Sequence, residues 1–183
     1  ERPGPVQLNL QFTEPLSAAE PSSVELLAKK PIEIFQGTLT PISEIDVVVD
    51  DRTVVVAGAG ATIAAQEFAE KANLPLFAEP SSGARFSEYA ITGYPKKIAG
   101  PLGEEIAKVI VFGKPTLSRA ITKLIKNSEV WVQKSRTHGH FDVGSNSLGF
   151  ADHINPIGRA SDAWLASWLD DDNDTDSRTQ LVS

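Results

Sequence analysis

Short runs of β-branched, nearly all-apolar residues alternate with helix-like segments from about Asp46 onward in this 183-residue chain. The clearest runs are TVVVA from Thr53, KVIVFG from Lys108 and EVWVQ from Glu129, and a shorter buried strand is expected from Leu74. Strands that are apolar on both sides are typical of a parallel sheet buried under helices. The alternation therefore predicts an α/β fold, with a Rossmann-like, mostly parallel sheet and helices on both of its faces.

Apolar residues at helical spacing predict two longer helices, at residues 61–72 and 116–127. The residues expected to face the core are Ile63, Phe68 and Ala72 in the first helix and Leu117, Ile121, Leu124 and Ile125 in the second. A third, amphipathic helix is expected from Gly158, and shorter helices are expected at residues 87–94 and 101–107.

The charge balance and the absence of Cys exclude several classes of function. The chain carries 24 Asp and Glu against 17 Lys and Arg, a formal net charge of −7. A general nucleic-acid or anionic-membrane surface needs clustered Lys and Arg, so we expect neither partner. Without Cys there are no disulfides, thiolate nucleophiles or Cys-ligated metals. No apolar run reaches the roughly 20 residues that span a bilayer, and a cytoplasmic protein is expected.

The two ends of the chain differ in composition from the α/β part. The segment VQLNLQF from Val6 alternates apolar and polar residues like a strand, and the Pro- and Ser-rich TEPLSAAEPSS after it predicts a linker. The tail DDDNDTDSRTQLVS is acidic and poor in apolar residues, so we expect disorder there. Because the sequence has no Met and begins at Glu1, we expect a piece of a longer protein.

The turn Gly58-Ala59-Gly60 lies between a predicted strand and a predicted helix, where dinucleotide-binding proteins carry Gly-x-Gly-x-x-Gly. Gly58 and Gly60 fill its first two places, and Glu79 ends the next strand, where an acidic residue belongs. Ile63 occupies the third place, and its side chain is expected to push the helix off the sheet. Three interpretations stay open: a turn without a ligand, a dinucleotide site, or a site for another anion at the helix N-terminus.

Three cationic residues follow predicted strands and are candidates for binding an anion such as a carboxylate. Arg85 follows the strand from Leu74, whereas Lys114 and Arg119 follow the next clear strand. Ligands of open α/β sheets bind outside the carboxyl ends of strands, so these cations are expected to converge with the Gly58–Gly60 turn. The alternative is that they are solvated charges or charges at a domain interface.

The remaining patterns do not amount to a catalytic or metal site. His138, His140 and Asp142 have the spacing of metal ligands on an extended strand, but Gly139 and Gly144 predict a loop. The phosphate-binding motif Gly-x4-Gly-Lys-Ser/Thr and the nucleophile elbow Gly-x-Ser-x-Gly do not occur. From these patterns we expect no catalytic residue and no metal ligand in this chain.

Four segments carry a resemblance to a known enzyme family. They are GPVQLNLQFTEPL from Gly4, VVVAGAGA from Val54, LPLFAEPSSGAR from Leu74, and VIVFGKPTLSR from Val109 with EVWV after it. In order and spacing they resemble actinobacterial members of the MenD family. These enzymes are thiamine-diphosphate-dependent synthases of menaquinone biosynthesis, which make 2-succinyl-5-enolpyruvyl-6-hydroxy-3-cyclohexene-1-carboxylate. The resemblance covers most of the chain up to Leu169.

Enzymes of this class have three α/β domains, and the resemblance implies that this chain holds the middle one. Residues 1–16 then correspond to the last strand of the preceding pyrimidine-binding domain and 17–45 to a linker. Residues 46–169 would be the middle domain, and 170–183 would be an acidic tail leading to the diphosphate-binding domain. The other two domains would be its partners, in a parent enzyme that is a homo-oligomer, either a dimer or a tetramer.

The resemblance implies a transferase (carboligase) as the parent enzyme. That enzyme adds a decarboxylated 2-oxoglutarate unit to isochorismate with thiamine diphosphate and Mg²⁺, which the other domains hold. This chain would contain no cofactor and would be inactive alone. In some actinobacterial members the middle domain also helps to form a regulatory pocket, in which arginines bind the carboxylate of a downstream naphthoate.

Arg85 and Arg119 align with such arginines, and Lys114 stands where Arg is frequent. Together with Gly58 and Gly60 they are the predicted regulatory carboxylate-binding residues. Two other functions stay open. One is a standalone nucleotide-binding oxidoreductase domain, and the other is an acidic module that binds partners through its tail.

Overall fold

A computed structural model of the chain describes residues 42–135 and 142–170, together with Gln7 and Asn9. Its strands are β1 (Glu44–Val48), β2 (Thr53–Ala57), β3 (Leu76–Ala78), β4 (Lys108–Phe112), β5 (Glu129–Gln133), β6 (Ser147–Ala151) and β7 (His153–Ile157). Its helices are α1 (Ile63–Ala72), α2 (Tyr94–Ile98), α3 (Pro101–Glu105), α4 (Arg119–Lys126) and α5 (Asp162–Leu169). All of these elements belong to one of the two units into which the chain divides, Ile42–Ser183.

The main sheet of the described residues has five parallel strands in the order β3-β2-β4-β5-β6. A separate pair, β1 and β7, is also parallel. The buried faces of α1, α4 and α5 share one apolar core with the sheet. The predicted α/β class is therefore confirmed, and so are the four predicted strands, now β2 to β5. Every residue of β2 is buried, as its β-branched composition predicts.

The order of the strands reverses at β2. Helix α1 leads from β2 to β3 on one side, whereas α2 and α3 lead to β4 on the other side of β2. In an open α/β sheet, ligands bind outside the carboxyl ends of the two neighbouring strands between which the order reverses. Here these strands are β2 and β4. We call this region the carboxyl edge; it comprises the connections 58–62, 79–93 and 113–118, which follow β2, β3 and β4.

Helix α5 is anchored by two indole rings. Trp168 is fully buried, and its ring centroid lies 5.0 Å from that of Phe77 and 5.7 Å from that of Trp164. The Nε1 hydrogen of Trp164 is donated to the backbone oxygen of Thr53 at 3.0 Å. Burying such a ring contributes about 1.5–3 kcal/mol to folding. The predicted amphipathic helix is confirmed as α5.

Two residues that were predicted to face the core are exposed instead. Ile63 is 61% exposed and Leu117 is 63% exposed. The side chains of Thr62 and Ser118 cap α1 and α4, so Ile63 is the first residue of α1, and Leu117 precedes α4. The expectation that Ile63 would push the helix off the sheet is therefore wrong. The other predicted core residues of these helices are buried: Phe68, Ala72, Ile121, Leu124 and Ile125.

The prediction of a helix at residues 87–94 is also wrong. Leu76 donates its backbone N–H to the carbonyl of Tyr89 and accepts from the N–H of Ile91, both at 2.9 Å, so this segment runs beside β3. Helix α2 begins only at Tyr94. The helix predicted at residues 101–107 is confirmed in a shorter form as α3.

Three strands, β1, β6 and β7, were not predicted. Gly149 interrupts the pattern of β6 and Pro156 that of β7, and both residue types are poor strand formers. Gly149 is needed because a Cβ there would lie 2.6 Å from the ring of Trp131. Strand β1 begins at Glu44, just before the predicted domain start at Asp46.

A carboxylate between β6 and β7 fixes the start of β1. Asp152 accepts hydrogen bonds from the backbone N–H and the hydroxyl of Ser43 at 2.9 and 2.7 Å, and the Lys134 ammonium lies 3.6 Å away. These interactions, the backbone hydrogen bond foremost, lower the pKa of Asp152 from 3.8 to about 2.

Apart from Gln7 and Asn9, the predicted N-terminal strand falls outside the described residues, as do most of the predicted linker and the tail beyond Asp170. The division into 1–16, 17–45, 46–169 and 170–183 stays a prediction. In the part of the chain that the structure describes, no helix is long and apolar enough to cross a membrane.

Candidate functional site

The glycine turn after β2 packs directly against the connection that follows β4. Ala59 and Lys114 exchange two backbone hydrogen bonds, at 3.1 and 2.8 Å, and Gly58 donates to the carbonyl of Phe112 at 2.9 Å. A Cβ at Gly58 would lie 2.2 Å from the backbone nitrogen of Pro115, which no structure tolerates. Close approach of two backbones is therefore the physical reason for Gly58.

Gly60 and Gly113 have a different role from Gly58. Both have positive φ angles, 77° and 69°, which glycine adopts without strain. A Cβ at Gly113 would also lie 2.6 Å from the carbonyl oxygen of Ala59. The backbones that follow β2 and β4 are thus in direct contact, and this contact together with the positive φ angles accounts for the glycines.

Glu79 lies at the carboxyl edge, just after β3, and is completely buried. Its Oε1 accepts from the backbone N–H of Leu117 at 2.8 Å and of Ser118 at 3.3 Å, and its Oε2 accepts from that of Thr116 at 3.2 Å. A dinucleotide site would use this acid to bind a ribose. The carboxylate is instead bonded to the chain itself, which disfavours the nucleotide-binding interpretation.

The charge of Glu79 influences a neighbouring aromatic residue. Burial raises the pKa of the Tyr94 hydroxyl above its ordinary value, and the negative charge of Glu79 raises it further. The ring of Tyr94 stacks on that of Phe77, with centroids 5.5 Å apart. Tyr94 therefore stays neutral at physiological pH, and its ring belongs to the apolar core.

The three predicted cations lie at or beside the carboxyl edge in different environments. Arg85 is exposed; its Nη1 donates to the carbonyl of Pro80, and its guanidinium lies 4.6 Å from the centroid of the Phe86 ring. Lys114 is half-buried, and its backbone is the part that meets the glycine turn. Arg119 is exposed at the first position of α4.

The structure therefore brings the backbones of Gly58 and Lys114 together and leaves the side chains of Arg85 and Arg119 at the surface. Arg119 lines a shallow depression on the outer side of α4 with Thr122 and Lys123. The role of these residues in binding a carboxylate stays a prediction.

Exposed apolar side chains accompany the cations, a feature that sequence reasoning missed. Ile63, Phe86 and Leu117 are 61%, 80% and 63% exposed, and they belong to or directly follow the connections after β2, β3 and β4. Their appearance at one edge of the sheet follows from the parallel topology. The carboxyl edge is thus both apolar and cationic.

Of the three residues with metal-ligand spacing, the structure describes only Asp142, because His138 and His140 lie outside the described residues. The carboxylate of Asp142 accepts from the hydroxyl of Ser147 at 2.7 Å and from the backbone of Asn146 at 3.3 Å. Burial raises the pKa of Asp142, but these hydrogen bonds outweigh burial and leave that pKa below its ordinary value. Over residues 42–135 and 142–170 the side chains form no cluster suited to a metal ion.

No family model matches the chain. Curated relatives include the 2-succinyl-5-enolpyruvyl-6-hydroxy-3-cyclohexene-1-carboxylate synthases of Leifsonia xyli subsp. xyli, 38% identical over 176 residues, and of Nocardioides sp., 34% identical over 190 residues. The alignments cover 91% and 98% of this chain but 30% and 34% of those enzymes. The synthase of Arthrobacter sp. is 35% identical over 187 residues. The chain thus spans about a third of the length of the curated relatives it matches.

Proposed function

This chain is related to the 2-succinyl-5-enolpyruvyl-6-hydroxy-3-cyclohexene-1-carboxylate synthases of menaquinone biosynthesis, and on that premise we propose that it is the middle α/β domain of such an enzyme. The observation that carries the proposal is the similarity to synthases over 91–98% of this chain and about a third of theirs. The Rossmann-like sheet is consistent with it. We further propose that the parent enzyme is a cytoplasmic homo-oligomer.

The parent enzyme would add a decarboxylated 2-oxoglutarate unit to isochorismate, and thiamine diphosphate with Mg²⁺, held by its other domains, would supply the electron sink for that reaction. The described residues of this chain do not fit that cofactor. At the carboxyl edge, the backbone of Pro115 packs against the glycine turn, and the Glu79 carboxylate already accepts from the backbone N–H groups of residues 116–118, where a diphosphate would need donors. The chain's role is accordingly to support the reaction centre and not to supply its catalytic residues.

The apolar part of the carboxyl edge supports an assembly with other domains. Ile63, Phe86 and Leu117 lie at the edge from which a sheet of this class meets its ligands and neighbours. Apolar side chains exposed at the same edge of a sheet are consistent with a surface that a partner covers. We propose that other parts of the synthase cover this edge.

A segment exchange tests the proposed role. The matching third of the Leifsonia xyli synthase is replaced by this 183-residue sequence, and turnover of isochorismate and 2-oxoglutarate is measured with thiamine diphosphate and Mg²⁺. We expect the exchanged enzyme to turn over and the 183-residue polypeptide alone to give no product under the same conditions. A host enzyme lacking the segment is the negative control. An exchanged enzyme that folds but has no activity, or turnover by the polypeptide alone, contradicts the proposal.

We also propose a regulatory role for the carboxyl edge, in which Arg85, Lys114 and Arg119 with the Gly58–Gly60 turn bind the carboxylate of a downstream naphthoate. The support is that cationic and apolar side chains occur together at one edge, since an aromatic carboxylate needs both. A bound ligand stabilises a fold by RT ln(1 + [L]/Kd), about 1.4 kcal/mol at ten times Kd.

The regulatory proposal is tested in the exchanged enzyme by thermal unfolding with a dihydroxynaphthoate. We expect a concentration-dependent rise of the melting temperature that Arg119→Ala removes. Lys71→Ala is the matched control, because Lys71 is an exposed cation in the last turn of α1, away from the depression that Arg119 lines. A melting temperature that never responds to the ligand, or one whose response Lys71→Ala also removes, contradicts the regulatory role.

A further inference from the structure

The Glu79 carboxylate is bound in the way that proteins bind free anions. Both of its oxygens accept hydrogen bonds from the successive backbone N–H groups of Thr116, Leu117 and Ser118, at 2.8–3.3 Å. Successive N–H groups that point at one position form an anion-binding nest, and the first turn of α4 follows directly. Hydrogen bonds to a charged acceptor are roughly twice as strong as neutral ones.

The position of this carboxylate in the fold matters as much as its hydrogen bonds. Glu79 comes from the end of β3, and its three donors come from the connection after β4, so the contact spans the carboxyl end of β2 between them. An open α/β sheet binds the anionic part of its ligand in this region. Glu79 is also completely buried, so the interaction is not a solvent-exposed ion pair.

A second observation, the close packing of two backbone segments, concerns the same carboxyl edge. The backbone from Lys114 to Pro115 lies so close to Gly58 that a methyl group does not fit between them. This contact holds the connection after β4 against the turn after β2, immediately before the three residues that bind Glu79.

We infer that Glu79 is a built-in anion that closes the backbone N–H groups of residues 116–118, and not the rest of the carboxyl edge, to phosphate- and carboxylate-bearing ligands, and that its removal converts these residues into an anion-binding site. This inference concerns the backbone N–H groups that bind the buried Glu79 and not the exposed side chains of Arg85 and Arg119. It is therefore independent of the proposed synthase role and of the proposed naphthoate site.

The test uses an external anion of the same shape as the missing group. Glu79→Ala removes a CH2 group and the carboxylate, and acetate has the corresponding size and charge. We expect acetate to raise the melting temperature of Glu79→Ala in a saturable manner. At ten times Kd it should lower the unfolding equilibrium constant about tenfold. Inorganic phosphate is the second probe, and it tests whether the opened nest also accepts a larger anion.

The controls separate this site from general salt effects. Sodium chloride at matched ionic strength is the reference for each titration. Glu79→Gln keeps the space filled without the charge, so acetate should not stabilise it beyond chloride. Glu88→Ala removes an exposed acid from the same connection and should behave like the unchanged chain. If acetate affects Glu79→Ala no more than these controls, the inference is wrong.

A measurement on the unchanged chain tests whether Glu79 closes the nest, even if Glu79→Ala does not fold. The backbone N–H resonances of Thr116, Leu117 and Ser118 are followed while acetate or phosphate is added. The inference predicts that they do not shift beyond the chloride reference, because Glu79 already occupies the donors. Saturable shifts at these three residues would mean that the nest is open, and they would overturn the inference.

Discussion

Replacing Gly58 by Ala is the sharpest test of why the glycine turn exists. The added Cβ would lie 2.2 Å from the nitrogen and 2.4 Å from the Cα of Pro115, and 2.3 Å from the carbonyl carbon of Lys114. All three atoms are backbone, so no side-chain rotation relieves the overlap. The connection after β4 must move away from the turn after β2.

The cost of that movement can be worked out from the contacts it breaks. Separating the turns breaks the two backbone hydrogen bonds between Ala59 and Lys114, each worth about 0.5–1.5 kcal/mol. Forcing a methyl group into a packed region adds about 1–3 kcal/mol. The free energy of unfolding should therefore fall by roughly 2–6 kcal/mol, against a total that is typically about 5–15 kcal/mol.

Urea denaturation measures this loss directly. With a slope of about 2 kcal/mol per molar, the midpoint of Gly58→Ala should fall by roughly 1–3 M. Gly100→Ala is the control, because a Cβ at Gly100 meets only the carbonyl oxygen of Lys97, at 3.4 Å. A dinucleotide site would instead lose ligand affinity with little loss of stability. A midpoint for Gly58→Ala within 0.3 M (about 0.6 kcal/mol) of the unchanged chain would refute the close-approach argument.

Two further predictions concern the core and the pH dependence. Trp168→Ala should lower the free energy of unfolding by about 3–5 kcal/mol, because the indole is completely buried; Leu169→Ala, at a partly exposed site, is the control, and both are measured by urea denaturation. The pKa of Asp152 is about 2 in the folded chain against 3.8 without its partners, so its contribution to stability is complete above pH 3.8 and is lost as the pH falls towards 2. Asp152→Asn should flatten the stability profile in that pH window, and an unchanged profile in acid denaturation would contradict the assigned hydrogen bonds.

The sequence could predict a strand where burial of both of its faces makes nearly every residue apolar. β2 and β4 are buried on both faces, so nearly every position is apolar and the strand is evident. β6 and β7 are different, because Gly149 is required by a neighbouring ring and Pro156 interrupts the strand pattern. Such requirements come from contacts between distant segments, and local periodicity does not contain them.

In the candidate site, too, the sequence could predict features that depend on neighbouring residues but not those that depend on contacts between distant segments. The glycine turn and the cations could be found from their positions after strands, but the direction of each side chain could not. Ile63 and Leu117 have helical spacing, yet the caps at Thr62 and Ser118 place them at the start of a helix or before it. The partners of Glu79 lie 37–39 residues further along the chain, so no local pattern reveals them.

The covalent attachment of Glu79 has a consequence for how this domain responds to its surroundings. A domain that holds a diffusible anion gains stability only while that anion is supplied, because the gain follows the ligand's concentration. Here the acceptor is part of the polypeptide, and its effective concentration at residues 116–118 is set by chain geometry alone. The domain therefore keeps the connection after β4 in place whatever the level of metabolites around it.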